Sequence, residues 1–207
     1  MRIDKVVTSG KFELDGGSWD VDNNVWLLGD DDRVLVLDPA HDVEAILAGI
    51  GGRTVSAILC THGHSDHVNA APALADATSA PILLHPQDTV LWEMTHPDRR
   101  PDRAVADGDT LRISDTQLRV MHTPGHAPGS VCLYSAEDSV LFSGDTLFAG
   151  GPGATGRSYS DFDTIISSIS ERLLPLPADT LVHTGHGPDT NIGAEAPNLA
   201  DWISRGH

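Results

Sequence analysis

The chain has 207 residues, 40% of them hydrophobic, which suits one globular domain with a full core and excludes a disordered chain. Its 30 acidic residues against 13 basic ones leave a formal net charge of −17, so the surface repels phosphate backbones and nucleic acid is not an expected partner. The first ten residues hold no long apolar run and nothing later is long enough to span a bilayer, so a cytoplasmic protein with no membrane partner is expected.

Asp4 to Ser9 and Asn24 to Leu28 read as strands, with Asp15-Gly16-Gly17-Ser18-Trp19-Asp20 between them as a turn or flexible loop. Val34 to Leu37 is a buried strand ending at Asp38-Pro39, and Val43 to Ile50 a short helix stopped by Gly51-Gly52. Val55 to Cys60 is a short apolar strand. Beyond Thr61 to His67, the residues Val68, Ala71, Leu74 and Ala75 keep the spacing of one helix face, with Asn69 as N-cap and Pro72 in the first turn. A strand at Pro81 to Leu84 and a helix at Gln87 to Met94 follow, then a loop from Thr95 to Gly108 whose Arg99, Arg100 and Arg103 read as solvated. Leu118 to Met121, Ser130 to Tyr134 and Val140 to Ser143 are strands. Phe162 to Leu174 is an amphipathic helix, Thr180 to His183 a last strand, and Pro197 to about Arg205 a last helix. Cys60 and Cys132 lie in apolar strand runs, as buried free thiols of a reducing compartment do. The alternation of strands and helices, with no linker, predicts two mixed sheets covered by helices in a single domain, 1–207.

The densest chemistry is Thr61-His62-Gly63-His64-Ser65-Asp66-His67, in the connection between a strand and a helix. His62 and His64, two apart in an extended segment, project to one side, and Asp66 and His67 are expected just before the helix begins. Neutral imidazoles crowded beside a carboxylate are what a transition-metal site requires. Three later strand ends each bring a further metal-competent residue into a Gly-rich turn: His126 in His122–Ser130, Asp145 in Ser143–Phe148, and His186 in His183–Pro188.

This ordered set, His-x-His-x-Asp-His followed by His126, Asp145 and His186, resembles the metallo-β-lactamase superfamily, and the surrounding phrases look most like its glyoxalase II-like hydrolase branch. The resemblance runs from Asn24 to Pro188 and implies an α/β (α+β) fold, a four-layer αββα sandwich with its site along one edge of the paired sheets. It also implies that His62, His64 and His126 hold one metal and Asp66, His67 and His186 a second, with Asp145 bridging. The implied cofactors are two divalent ions, zinc for this nitrogen- and oxygen-rich set, with iron or manganese as alternatives. Two ions roughly 3.5–4 Å apart share a hydroxide that attacks a polarised carbonyl, with Asp66 orienting it and Asp145 holding both ions. Asp38 matches an acidic position near such sites and is expected to hydrogen-bond a ligand or its loop.

The implied activity is hydrolysis of a thioester, an S-acyl derivative of a small thiol, with a small molecule as the substrate. Alternatives are an iron-dependent persulfide dioxygenase and a lactonase or other ester hydrolase. Glutathione-using members carry an added helical C-terminal region with no counterpart after His186, so glutathione specificity is not implied. In members that hold two zincs with a cysteine, that cysteine stands where Asp145 stands here, which speaks against a β-lactamase.

Gly151-Pro152-Gly153-Ala154-Thr155-Gly156-Arg157-Ser158 looks like a phosphate loop, but it follows the strand carrying Asp145, and Pro152 removes a backbone donor. It is expected to line the substrate pocket instead, with Arg157, Ser158 and Tyr159 binding polar or anionic groups. The remaining histidines, His41, His85, His96, His122, His183 and His207, are expected to be packed or surface residues.

Overall fold

A computed structural model describes residues 1–206 of the chain; His207 lies outside the described residues. The first sheet has six strands in sequence order: β1 (Arg2–Leu14), β2 (Gly17–Gly29), β3 (Arg33–Leu37), β4 (Thr54–Leu59), β5 (Ile82–Leu84) and β6 (Arg103–Ala104). β1 to β3 are antiparallel and β3 to β6 parallel. The second sheet contains β7 (Thr110–Ile113), β8 (Thr116–His122), β9 (Val131–Ser135) and β10 (Val140–Gly144). After a small ribbon of β11 (Leu147–Phe148) and β12 (Gly151–Pro152), the chain returns to that sheet as β13 (Leu181–Thr184), parallel to β10, and β14 (Thr190–Asn191).

Side-chain alternation along the strands sorts the core into three slabs. Trp26, Leu28, Leu35, Leu37 and Leu59 meet Leu118, Val120, Leu133 and Phe142 between the sheets. Their neighbours Leu27, Val34, Val36 and Ile58 face outward, onto α1 (Val43–Ile50), α3 (Ala71–Thr78) and Trp92 of α4 (Thr89–Thr95). On the far side, Met121, Cys132, Leu141 and Val182 pack on α5 (Phe162–Ser168) and on Trp202 of α7 (Leu199–Arg205), which follows the short α6 (Ile192–Glu195). Helix, sheet, sheet, helix is thus the layer order. Truncating a residue of the middle slab such as Leu28, fully buried, removes about 2–5 kcal/mol.

The largest departure from the sequence reading is the opening hairpin. The two strands expected there are each 13 residues long and pair from Arg2 with Gly29 to Leu14 with Gly17, so Gly17 to Asp20 is strand rather than loop. Only Asp15 and Gly16 turn, with φ of 53° and 75°, the left-handed pair of a two-residue hairpin turn, which Asp-Gly supplies. A second correction concerns Asp66 and His67. They lie within a one-turn helix, α2 (Ser65–Val68), that His64 opens and Asn69 closes. Asn69 does not cap α3, because its side chain is bonded to His41; Pro72 does sit in the first turn of α3. β7 was not foreseen, and the helix from Phe162 widens into a π-type turn over Ile169–Leu173.

Candidate metal centre

The site lies where β4, β8, β10 and β13 end. Rigid strand ends aim each following turn inward, while Asn24 and Trp26 of β2 donate side-chain N–H groups to Thr184 O, both at 3.0 Å, and tie the two sheets together at this edge.

In one half, His62 Nε2 and His126 Nε2 each lie 3.0 Å from His64 Nδ1. In the other, His67 Nε2 and His186 Nε2 are 3.1 Å apart, and His186 Nε2 is 3.3 Å from both Asp66 Oδ2 and Asp145 Oδ2. Asp145 Oδ2 is also 3.6 Å from His126 Nε2, so this carboxylate reaches both halves. The donors fall into three overlapping triads: His62, His64 and His126; His62, His67 and Asp145; Asp66, His67 and His186. All seven residues expected to bind metal are brought together.

Tautomers test whether cations fit. His126 Nδ1–H donates to Ala154 O at 2.8 Å and His186 Nδ1–H to Asp22 O at 2.7 Å. The Thr61 hydroxyl donates to Asp38 Oδ2, so it accepts from His62 Nδ1–H; His67 Nδ1 lies 3.0 Å from the same oxygen, paired by charge rather than by an aligned hydrogen bond. With Nδ1 so engaged in His62, His126 and His186, three rings present Nε2 as the free coordinating atom, aimed into the cluster. Lone pairs in contact need a cation between them. Asp145 Oδ1, buried without a hydrogen-bond partner among the described residues, points to the same conclusion.

The halves differ in charge. Burial, with the neighbouring imidazoles, pushes His62 and His64 down, His64 to about 3, and burial lowers His126. Burial also opposes charge on His67 and His186, but Asp145 and Asp66 outweigh it, raising His67 well above the ordinary range and His186 to about 10. The carboxylates answer in kind: despite burial, His67 and His186 hold Asp66 at about 2 and Asp145 well below the usual carboxylate range. The three-histidine half is a neutral, ready donor set, whereas the carboxylate half demands positive charge.

Asp38, buried and with φ of 49°, accepts from Thr61 N–H at 2.6 Å and Thr61 Oγ1 at 2.7 Å while holding His67, so it braces a ligand and its loop. Asn23 Nδ2 lies 3.1 Å from Asp66 Oδ2, and Asn23 Oδ1 accepts from His41 Nε2 at 2.9 Å. His41 is therefore linked to the site, contrary to its reading as an ordinary packed histidine. Neither Asn23 nor His41 could be found from spacing, because their partners lie far along the chain.

A family model described as the metallo-beta-lactamase superfamily matches residues 19–186. The chain belongs to that superfamily. Among its members, the hydroxyacylglutathione hydrolase GloC of Haemophilus influenzae is 34% identical over 188 residues, spanning 83% of this chain and 89% of that protein. Two solved members are similar in structure: TTHA1623 in a di-iron-bound form, at 35% identity and TM-score 0.77, covering 85% of this chain and 93% of the other; and the BLEG-1 B3 metallo-beta-lactamase, at 34% identity and TM-score 0.76, covering 92% and 97%.

In this superfamily member the metal centre opens into a cavity of about 380 Å³ walled by Phe12, Val21, Asp22, Phe148, Ala154 and Arg157. Phe12 and Val21 come from the hairpin that was longer than expected. The guanidinium of Arg157 lies 4.1 Å over the Trp19 ring and 5.0 Å over Phe12, rings that stack on each other, and Asp15 accepts from Ser158 N–H at 3.1 Å. The loop from Gly153 is thus clasped to the hairpin tip. Ser158 and Tyr159 are exposed and are not among the residues lining the cavity, so of the three residues expected to meet substrate only Arg157 faces it. The Gly-rich stretch runs through the β11–β12 ribbon into a loop, with no helix before Phe162, which is not a phosphate-loop geometry. His122 stacks on His85 at 4.2 Å, His183 pairs with Asp189 at 3.0 Å, and His96 bonds Val68 O, as packed histidines do. Among the described residues no helix is long and apolar enough to cross a membrane.

Proposed function

We propose that this metallo-hydrolase-superfamily chain hydrolyses thioesters, S-acyl derivatives of a small thiol, with zinc as the favoured metal and iron as the alternative that the di-iron relative supports. The observation that carries the reading is one carboxylate, Asp145, within reach of two complete donor sets at the floor of a small, largely apolar cavity. When bound, two divalent ions supply an activated water and a positive field for a carbonyl oxygen. In the overall reaction water adds to the acyl carbon, the C–S bond breaks, and an acid and a thiol leave.

The chain's own groups do the positioning. Asp66, anionic and fixed by Asn23, orients the attacking water as a hydrogen-bond acceptor. Phe12, Val21 and Phe148 shield the acyl group from bulk water. Arg157, the one arginine or lysine that lines the cavity, takes a carboxylate or other polar group away from the reacting carbonyl. The hydrolase name of GloC supports the reaction class, and the acidic surface favours a small-molecule substrate over nucleic acid.

A panel of thioesters, lactones, a β-lactam and a persulfide, with oxygen uptake followed in parallel, tests this. Thioester hydrolysis without oxygen uptake is the expected result. Oxygen-coupled turnover of the persulfide with no thioester cleavage would replace the reading by a dioxygenase, and cleavage of the β-lactam alone by a lactamase, the activity for which the BLEG-1 relative is named.

A further inference from the structure

The three-histidine half is assembled from two loops of different sheets: His62 and His64 follow β4 of the first, and His126 lies between β8 and β9 of the second. Among the described side chains outside the donor set, one hydrogen-bonds to both loops. Asp88, fully buried in the short turn Pro86–Asp88, accepts from Gly63 N–H on Oδ2 at 2.8 Å and from Gly129 N–H on Oδ1. Gly63 sits between the two histidine ligands, and Gly129 closes the loop that carries His126.

Both contacts depend on the absence of a side chain. A Cβ on Gly63 would stand 2.8 Å from the Asp88 carbonyl oxygen, and one on Gly129 2.8 Å from the Asp88 carboxyl carbon. The turn is tied to the His126 loop a second time, because His85 stacks face to face on His122 with 10° between the rings. No cation is among the groups that set the ionisation of Asp88. Burial raises its carboxyl to about 6, and the two amides offset only part of that. A buried acid without a counter-charge is costly to keep, and what it gains here is geometry.

We propose that Asp88 is a positioning residue for the three-histidine half of the metal centre: through the Gly63 and Gly129 amides it sets the distance between the loop of His62 and His64 and the loop of His126. The carboxylate half has braces of its own, Asp38 on His67 and Asn23 on Asp66, and Asp38 also reaches His62 through the Thr61 hydroxyl. The inference goes beyond the thioesterase reading, since it concerns metal retention and holds for any substrate.

The test is titration of metal-free full-length protein with Zn²⁺, and with Co²⁺ followed by its ligand-field spectrum, in the wild type, Asp88→Asn, Asp88→Glu and Leu91→Ala, after circular dichroism has checked each fold. Asp88→Asn removes one acceptor and Asp88→Glu displaces both. Leu91→Ala removes packing beside Gly63 with no hydrogen bond lost, so it controls for destabilisation. Either Asp88 variant that folds should bind metal about 10–100-fold more weakly at the three-histidine half. The Co²⁺ bands of that half should change, the other half should stay within about 3-fold, and Leu91→Ala should bind as wild type. Equal weakening of both halves, native binding in a folded Asp88 variant, or the same selective loss in Leu91→Ala would each overturn the proposal. A protein inactive on thioesters would leave this result standing.

Discussion

The two halves of the metal centre are built from the same residue type on opposite electrostatic plans. His62, His64 and His126 keep company mainly with one another and with buried walls, and all three are driven toward neutrality. His67 and His186 share their half with Asp66 and Asp145, and are driven toward charge. Residue type alone would give every ring the same behaviour. What decides their behaviour is how many carboxylates each ring faces and what holds its far nitrogen. The first half is a rigid neutral socket, and the second is a charge-balanced one whose positive charge comes from protons or a metal.

Asp145 is the one residue common to both plans, so its removal is the largest perturbation expected. Asp145→Ala should lower turnover by several orders of magnitude and weaken metal binding at both halves, whereas Asp38→Ala should cost about 10–100-fold because it only steadies His67 and the Thr61 loop. Steady-state kinetics with metal analysis of each variant checks this. Equal losses at unchanged metal content would erase the distinction between bridge and brace.

The charge contrast sets the next expectation. Metal binding in the carboxylate half must expel protons from His67 and His186, groups whose pKa is raised, so affinity there should climb between about pH 6 and about pH 8. The three-histidine half holds groups of lowered pKa that are already unprotonated, so its affinity should stay nearly flat over the same range. Titrations in buffers of different ionisation enthalpy report the protons released. Equal pH slopes for the two halves would contradict the contrast.

Arg157 tests the cavity rather than the ions and should give the smallest effect on turnover. A contact made in ground and transition states alike raises KM more than it lowers kcat, so Arg157→Ala should move KM for anionic thioesters by about 10-fold. Arg157→Lys should restore part of that loss, because an ammonium can neither bind in the same forked way nor stack as well on Trp19. An unchanged KM would leave Arg157 as the clasp between its loop and the hairpin tip.

The difference between the halves was only partly legible in the sequence. The ligands themselves were, because four of them sit within six positions and the others follow strand ends in Gly-rich turns. The layer order was readable from the alternation of strands and helices. The braces were not. Asp88 reads as the second residue of the helix expected from Gln87 to Met94, and its two partners are 25 and 41 residues away. Asn23 and His41 acquire meaning only when β2 and the turn after β3 converge on Asp66. The hairpin was missed for a local reason: Gly17 to Asp20 has loop-like composition, yet the long register of β1 with β2 and the Asp15-Gly16 turn override it.

Metal stoichiometry tests the central claim most directly. Elemental analysis of wild-type protein saturated with metal and freed of excess should find two ions per chain, with Asp66, His67 and His186 coordinated in the loaded structure. One ion per chain at saturation, held by His62, His64 and His126 with the carboxylate half left to its protons, would contradict the two-metal account.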